Sequence, residues 1–274
     1  MRSATFMRSA LYAAAMILAV SSAANATGGV ARTWVASTGN DSNTATNCTR
    51  TAPCKTFASA YSVTAPGGEI VALDSVGYGP INITTSVTII GLEGALISVQ
   101  SNTVGVTIGA GSSDVVILKN IQISGAAGST NTKGIQLNSG RLFLQNSSVR
   151  SLTSGLSVSS SHATVTDSEF VGNTTGIETT GTGVDQNSSF PVTGVTWVML
   201  ERVNAVFNTT AFVMHDPGTA SGANRITIWS RNMGSTVTLF HVGNGTVISG
   251  DGPSCSGLCT QYGQYTQQTG FTWN

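Results

Sequence analysis

Charged and aromatic residues are scarce in this sequence. Of its 274 residues, 9% are charged and 7% are aromatic, whereas roughly 25% of an average soluble domain is charged. Basic and acidic residues balance at 12 each, so the chain lacks the basic surplus that neutralises the phosphates of nucleic acids. We therefore expect no nucleic-acid partner. The mean hydropathy of +0.16 does not fit a disordered chain, and the 32 glycines must share the surface with Ser, Thr, Asn and Gln.

A long apolar segment is also missing. The apolar run at residues 11–20 is about half of the ~20 residues that a membrane-spanning helix needs. Arg2 and Arg8 precede this run and Ala24-Asn25-Ala26 follows it, which is the pattern of a secretory signal peptide cleaved after Ala26. We therefore expect a protein that is secreted, periplasmic or on the cell surface, with no membrane span after cleavage.

Cysteine and histidine are few, and their spacing does not match common metal sites. The three histidines are far apart, and the four cysteines form two close pairs, Cys48 with Cys54 and Cys255 with Cys259. Because an exported chain meets an oxidising environment, we expect two local disulfides and no metal. A zinc site of four thiolates and cross-pairing of the two ends remain alternatives, since four cysteines allow three connectivities.

The middle of the chain contains a repeat. Similar short segments recur, and each is followed by an alternating apolar and polar run. These runs start at residues 105, 134, 155, 176 and 211, so the basic unit is 21 residues, with two longer spacings of 29 and 35. The segments are Asn131-Thr-Lys-Gly134, Leu152-Thr-Ser-Gly155, Asn173-Thr-Thr-Gly176 and Asn208-Thr-Thr-Ala211.

Each unit contains a second and a third short strand pattern, separated by a polar corner. Three short strands per unit, with no helical periodicity between them, predict one coil of a parallel β-solenoid in an all-β protein. A β-sandwich is the alternative, but its hairpins would not keep one phase from unit to unit. The residues at the corner are Asn120, Asn146, Asp167 and Arg202.

Equivalent residues of successive coils lie above one another in a solenoid, about 4.8 Å apart, and form ladders. At the corner we expect an amide hydrogen bond between Asn120 and Asn146, and a salt bridge between Asp167 and Arg202. The expected inward ladders of the first strand are Val106, Ile135, Leu156, Ile177, Phe212 and Ile108, Leu137, Val158, Thr179, Met214. The expected outward ladders are Thr107, Gln136, Ser157, Glu178, Val213 and Gly109, Asn138, Ser159, Thr180, His215.

The open strand edges at the two ends of a solenoid must be covered. A short helix is predicted over residues 55–63, and it ends before Pro66-Gly67-Gly68. One face of this helix carries Phe57, Ala60 and Tyr61, and we expect it to cover the N-terminal end of the solenoid. Strands at 33–36, 70–74 and 86–90 would begin the stack. The expected organisation is a signal peptide at 1–26, an N-terminal strand, disulfide loop and capping helix at 27–68, β-helix coils at 69–250, and a C-terminal disulfide loop and tail at 251–274.

These segments resemble a known family. The repeats over residues 69–250 resemble the right-handed parallel β-helices of the pectin-lyase-like superfamily. The N-terminal part of the chain is similar to that of secreted bacterial right-handed β-helix repeat proteins. The residues that carry this similarity are Arg32-Thr-Trp-Val-Ala-Ser-Thr-Gly-Asn-Asp41, Cys48, Pro53-Cys54-Lys55-Thr56-Phe57, Gly67-Gly68-Glu69 and Gly77-Tyr78-Gly79. The resemblance implies a single-stranded right-handed parallel β-helix and export, and it implies no particular activity.

The catalytic motifs of that superfamily do not occur in the chain. It lacks the Arg-x-Pro-x-x-Arg context of pectate lyases and the Asn-Thr-Asp, Asp-Asp and Gly-His-Gly motifs of polygalacturonase-like hydrolases. No phosphate loop or dinucleotide fingerprint occurs in a suitable context, so we expect no cofactor. Paired carboxylates could still hydrolyse a glycosidic bond. The candidate catalytic residues are Glu178, Asp185, Asp167, Glu169 and Arg202.

The other candidate is a binding surface on the first strand of each coil. Flat ladders of amides and hydroxyls suit a sugar chain, which offers many hydroxyls and few charges. The candidate ligand-binding residues are Gln136, Asn138, Ser157, Ser159, Glu178, Thr180 and His215. We therefore expect a secreted or cell-surface module that binds polysaccharide or another surface component without catalysis. A polysaccharide lyase or glycoside hydrolase, and a structural or adhesive solenoid, are the alternatives.

A second outward ladder is partly apolar. It consists of Ile117, Phe143, Thr164 and Met199 on the second strand of each coil, next to Arg141, His162 and Trp197. Exposed apolar ladders indicate a contact. Either a partner or a terminal segment of the same chain would cover this one.

Overall fold

The fold consists almost entirely of short strands. The computed structural model describes residues 29–159, 161–180, 196–215, 224–229, 238–242, 246–249 and 260–262. In chain order the strands are β1 (Val30–Val35), β2 (Thr64–Ala72), β3 (Ile81–Ile83), β4 (Val87–Ile90), β5 (Leu96–Val99), β6 (Val104–Gly109), β7 (Val115–Lys119), β8 (Gln122–Gly125), β9 (Lys133–Ser139), β10 (Arg141–Gln145), β11 (Ser148–Arg150), β12 (Ser154–Ser159), β13 (His162–Thr166), β14 (Glu169–Val171), β15 (Thr175–Thr180), β16 (Thr196–Glu201), β17 (Asn204–Val206), β18 (Thr210–His215), β19 (Asn224–Trp229), β20 (Thr238–Val242), β21 (Thr246–Ser249) and β22 (Thr260–Tyr262). A 3₁₀ helix (Asp41–Thr46) and helix α1 (Phe57–Ser62) lie between β1 and β2.

The described strands form three parallel sheets. The nine-strand sheet has the order β1-β2-β4-β7-β10-β13-β16-β19-β21, the eight-strand sheet β3-β6-β9-β12-β15-β18-β20-β22, and the five-strand sheet β5-β8-β11-β14-β17. From β3 to β17, each set of three successive strands places one strand in the eight-strand, one in the nine-strand and one in the five-strand sheet. The chain is therefore a parallel β-helix, as the phase of the units predicts, and not a β-sandwich.

The register of the eight-strand sheet matches the sequence alignment of the units. Leu156 on β12 pairs with Ile135 on β9 and with Ile177 on β15, two steps of 21 residues. Both inward ladders are confirmed as far as Phe212, because the side chains from Val106 to Phe212 in them are at most 1% exposed. Only Met214 has a side chain outside the described part of those ladders.

One outward ladder differs from the prediction. Gly109 pairs with Ser139 and not with Asn138, because the register between β6 and β9 shifts after Ile108. A single irregularity of this kind moves the end of a strand by one residue, and the ladder of paired residues is broken there.

A column of glycines allows the coils to stack closely. Gly105, Gly134, Gly155 and Gly176 occupy equivalent positions, and a Cβ atom on Gly155 would lie 2.5 Å from the carbonyl oxygen of Gly176. The same Cβ would lie 2.8 Å from Cδ1 of Phe170. The glycines therefore leave room both for the next coil and for the bulky core side chains of the five-strand sheet.

The N-terminal edge of the solenoid is covered by the disulfide loop. Cys48 and Cys54 form the predicted disulfide and are fully buried. The backbone N–H of Trp34 on β1 donates to the carbonyl of Cys48 at 2.8 Å, and the N–H of Cys54 donates to the carbonyl of Trp34 at 2.9 Å. The loop thus takes the hydrogen-bonding positions that would otherwise leave β1 as an open edge.

Helix α1 packs beneath this loop, as predicted, but it is shorter than residues 55–63. It begins after Thr56, whose hydroxyl accepts a hydrogen bond from the N–H of Ser59 at 3.2 Å, and it ends at Ser62. Phe57 and Ala60 are buried, and the ring of Phe57 lies 4.7 Å from that of Tyr78. The helix therefore fills the N-terminal end of the core.

The segment Pro66-Gly67-Gly68 follows the end of helix α1, as predicted. It lies within β2, because the register between β1 and β2 shifts and three extra residues of β2 are accommodated between the pairs Val30 with Thr64 and Arg32 with Glu69. The strands predicted at 33–36, 70–74 and 86–90 correspond to parts of β1, β2 and β4.

Several sequence predictions lie outside the described residues. These are the signal peptide at 1–26, the pair Cys255 and Cys259, the candidate Asp185 and the tail beyond Tyr262. Within the part of the chain that the structure describes, no helix is long and apolar enough to cross a membrane.

The glycine column can be tested by substitution. We expect Gly155→Ala to destabilise the protein by about 1–3 kcal/mol, since the added methyl group overlaps backbone of the next coil. Gly109→Ala is the control, because no atom lies within 4 Å of its added Cβ, and we expect a change within about 0.5 kcal/mol. Urea unfolding of both variants measures the difference, and equal stabilities would contradict the stacking argument.

Removal of one buried hydroxyl group should stabilise the core. Thr179 is fully buried, and its Oγ1 has no hydrogen-bond partner. We expect Thr179→Val to raise the free energy of unfolding by about 1 kcal/mol, because the methyl group keeps the shape and has no desolvation cost. Leu156→Ala in the neighbouring ladder should lower it by about 2–5 kcal/mol. Thermal and urea unfolding test both, and a destabilised Thr179→Val would mean that the hydroxyl is satisfied.

Candidate functional site

A ladder of polar residues runs along the corner between the nine-strand and five-strand sheets. This corner ladder consists of Asn120, Asn146, Asp167 and Arg202, all with left-handed backbone at φ between 47° and 56°. Asn146 Nδ2 donates to Asn120 Oδ1 at 2.7 Å, which confirms the predicted amide hydrogen bond. Asparagine and aspartate tolerate this backbone better than other side chains, so three of the four coils turn here at low cost.

The last two residues of the corner ladder form the predicted salt bridge. Arg202 Nε donates to Asp167 Oδ1 at 2.6 Å, and its Nη2 donates to Asp167 Oδ2 at 2.8 Å. Arg202 also donates to Glu201. The hydrogen bonds from Arg202 lower the pKa of Asp167, and those to Asp167 and Glu201 raise the pKa of Arg202. Because both side chains are about half exposed, the pair adds little stability, but it fixes the position of both groups.

Two buried serines hold the corner beneath the ladder. The N–H of Ser147 donates to Ser168 Oγ at 3.1 Å, and the N–H of Ile121 donates to Ser147 Oγ at 3.2 Å. Each hydroxyl in turn donates to a backbone carbonyl of its own coil, Gln145 or Thr166, at 2.8 Å. All of these buried groups are satisfied, so the corner is held in one geometry.

A groove lies beside the corner ladder, on the face of the five-strand sheet. Its floor carries the residue two positions after each corner residue, namely Gln122, Ser148, Glu169 and Asn204. Ser148 Oγ donates to Glu169 Oε1 at 2.7 Å. This corner groove has a volume of about 660 Å³, is open to solvent, and extends to Glu93 at one end and Arg202 at the other.

The structure brings together three of the five catalytic candidates. Asp167, Glu169 and Arg202 all line the corner groove, whereas Glu178 lies on the eight-strand sheet. Asp185 lies outside the described residues.

Four described aspartates, Asp41, Asp74, Asp114 and Asp167, have a lowered pKa. Partial burial raises the pKa of Asp41 and Asp74, but the hydrogen bonds that they accept outweigh burial, and the net shift is downward. The pKa of Asp114 and of Asp167 is lowered chiefly by hydrogen bonds from Ser86 and Arg202. A glycosidase needs a carboxylic acid that stays protonated, and the surroundings of these four aspartates oppose that role.

The first-strand surface lies on a different sheet from the groove. Gln136, Ser157 and Glu178 are directly paired across β9, β12 and β15, as the alternation predicts. Ser157 is only 7% exposed, Glu178 accepts a hydrogen bond from Ser154 Oγ at 3.0 Å, and Gln136 Nε2 donates to Asn138 Oδ1 at 3.1 Å. Many of the polar groups on this surface are therefore already engaged with one another.

The remaining first-strand candidates are placed less completely. Ser159 is half-buried at the end of β12 and pairs with Thr180, which in turn pairs with His215. The side chains of Thr180 and His215 lie outside the described part.

An aromatic pair lies on the outer face of the nine-strand sheet. His162 and Trp197 pair directly across β13 and β16, and their rings meet edge to face at 6.0 Å. Burial and the nearby charge of Arg141 lower the pKa of His162. The Nε2 atom of His162 and the Nε1 atom of Trp197 are buried without a hydrogen-bond partner. That a partner or a terminal segment covers the neighbouring outward ladder of Ile117, Phe143, Thr164 and Met199 stays a prediction.

Sequence reasoning missed the floor of the groove. Gln122, Ser148 and Asn204 were not candidates, although each follows a corner residue at the same offset of two positions. The alternation of inward and outward side chains after each corner residue places these three side chains outward, where they form one ladder. Glu93 has no such pattern, because the coil before Asn120 turns through a longer corner at residues 91–95.

No described cluster of side chains is suited to a metal ion. In the residues that the structure places, no group of three or more His, Cys, Asp or Glu side chains converges.

The comparisons with known proteins do not assign the chain to a family. No family model matches it, and no significant similarity to a curated protein or to a solved structure was found. The fold and the groove are therefore described from this chain alone.

The corner salt bridge can be tested by titration. In NMR, the pKa of the Asp167 carboxyl should lie below its ordinary value, and Arg202→Asn should raise it towards that value. Since the folded pKa is depressed, the contribution of the pair is present above the ordinary pKa and is lost as the pH falls through the folded pKa. Arg150→Gln is the control and should leave the Asp167 titration unchanged. An unchanged titration in Arg202→Asn would show that the pair does not form in solution.

Proposed function

We propose that this protein is a secreted or cell-surface β-helix module that binds polysaccharide in the corner groove without catalysing a reaction. The corner groove is the observation that carries the proposal, because it joins a concave shape to regularly spaced amides, hydroxyls and a few fixed charges. The resemblance of the opening residues to secreted bacterial right-handed β-helix proteins supports the extracellular setting.

The dimensions of the groove suit an extended chain of sugars. Its lining comes from five successive coils, which at about 4.8 Å between neighbours span roughly 19 Å. Gln122, Ser148 and Asn204 offer donors and acceptors at each step. A glycan also has hydroxyls at regular intervals and can therefore hydrogen-bond to several coils at once.

The rigidity of the corner favours binding. The buried hydrogen bonds of Ser147 and Ser168 and the salt bridge of Asp167 with Arg202 hold the lining in place before a ligand arrives. A ligand then loses less affinity to the ordering of protein side chains.

The same arrangement opposes catalysis. The ion pair with Arg202 keeps Asp167 ionised, so Asp167 is not a general acid at neutral pH. Glycoside hydrolysis would then require Glu169 as the acid and the ionised Asp167 as the second carboxylate, an assignment that Glu169→Gln tests. A hydrolase or lyase, and a purely structural solenoid, are therefore the outcomes against which binding is tested.

The binding proposal can be tested with paired variants on two faces. A panel of soluble mannan, xylan, β-glucan and chitin oligosaccharides is titrated into the mature protein by calorimetry. The double variant Gln122→Ala with Asn204→Ala should weaken binding roughly tenfold, since each lost hydrogen bond is worth about 0.5–1.5 kcal/mol. The matched control Gln136→Ala with Glu178→Ala, on the eight-strand sheet, should bind as the parent does.

If Gln136→Ala with Glu178→Ala weakens binding and Gln122→Ala with Asn204→Ala does not, the binding site lies on the first-strand surface. Saturable binding to none of these glycans would favour a structural role. Release of new reducing ends or unsaturated sugars, abolished by Glu169→Gln, would favour an enzyme over a binding module.

A further inference from the structure

The corner groove carries a net negative charge. Its charged lining consists of the carboxylates of Glu93, Asp167 and Glu169 and the guanidinium of Arg202, a net charge of −2. Such an excess of one sign is notable in a chain whose charged residues amount to only 9% and balance over its full length.

The single cation of the groove is already committed. The Nε and Nη2 atoms of Arg202 donate to Asp167, and its Nη1 donates to Glu201. A carboxylate on a ligand would have to displace one of these partners, and the displaced carboxylate would remain nearby. Arg202 is thus a poor receptor for an acidic sugar, even though it is the residue type that best binds carboxylates.

The negative charges, in contrast, are available. Within the described residues neither Glu93 nor Glu169 has a cationic side chain within salt-bridge distance, and Glu169 accepts a hydrogen bond only from the neutral Ser148. The nearest cations along the two sheets are Lys119, which precedes the corner at the end of β7, and Arg150, at the far end of β11. Neither of them lines the groove.

We infer that the corner groove selects by charge: it accepts neutral and amino-sugar polymers and rejects polyuronates. This inference rests on the proposed function and names its ligand class. An ammonium group on a sugar can pair with Glu169 or Glu93, whereas a uronate carboxylate meets carboxylates that have no cationic partner among the described residues. Neutral sugars avoid both effects and bind through the amide and hydroxyl lining.

Two pairs of oligosaccharides test the inference, since the members of each pair share a sugar backbone and differ in one substituent that is charged in one member and neutral in the other. Oligogalacturonate is compared with its fully methyl-esterified form, and chitosan oligosaccharide with the N-acetylated chitin oligosaccharide, at a mildly acidic pH where the amines are protonated. At low ionic strength we expect the ester to bind roughly tenfold or more tightly than the uronate, and chitosan more tightly than chitin. Both differences should shrink in high salt, because exposed charges are screened.

Isosteric variants assign the selectivity to the groove. Glu93→Gln with Glu169→Gln removes two negative charges and keeps an oxygen acceptor for Ser148, so folding should be unchanged. We expect this variant to lose most of the preference within each pair, while Glu178→Gln, on the eight-strand sheet, keeps it. Selectivity that survives in the groove variant would overturn the inference.

The failure of the inference differs from that of the proposed function. Binding of oligogalacturonate as tight as that of its ester, weakened by Gln122→Ala with Asn204→Ala, would overturn charge selection and leave glycan binding in the groove intact. Binding of none of these four oligosaccharides, nor of the mannan, xylan and β-glucan oligosaccharides, would overturn both.

Discussion

The structure depends on the in-register stacking of one coil on the next. Parallel backbone hydrogen bonds fix each coil against its neighbours, so a side chain on an in-register strand lies directly above and below an equivalent one. A residue must therefore suit its own coil and both adjacent coils. The buried apolar ladders, the column of glycines at Gly134 and Gly155, and the scarcity of charge all follow, because like charges stacked at this distance repel.

Stacking also explains which parts of the fold could be predicted from the sequence. A residue that recurs in phase, such as Leu156 or Asn146, is specified by its neighbours as well as by itself, so alignment of the units predicts its position and direction. The interruptions could not be predicted in this way. The bulge in β2 at Gly67 and the register shift after Ile108 occur once each and depend on local tertiary contacts, so no repeat reports them.

The candidate site was only half predictable for a similar reason. The salt bridge between Asp167 and Arg202 follows from the ladder, and it was predicted. The groove beside it depends on the angle at which two sheets meet, and this angle is not encoded in the alternation of any one strand. The sequence therefore favoured the longer and more regular surface around Gln136, although the concave surface lies one corner away on the five-strand sheet.

The fixed offset between corner and floor has a consequence for how such a site can evolve. Each of four coils supplies one corner residue and one floor residue, as Asn146 and Ser148 do, and each coil contacts only its neighbours. In-frame duplication or deletion of one 21-residue unit would lengthen or shorten the groove by one step of about 4.8 Å and leave the chemistry of the other steps unchanged. Under the proposed function, the length of glycan that fits the groove would thus change by whole increments, independently of which sugars are preferred.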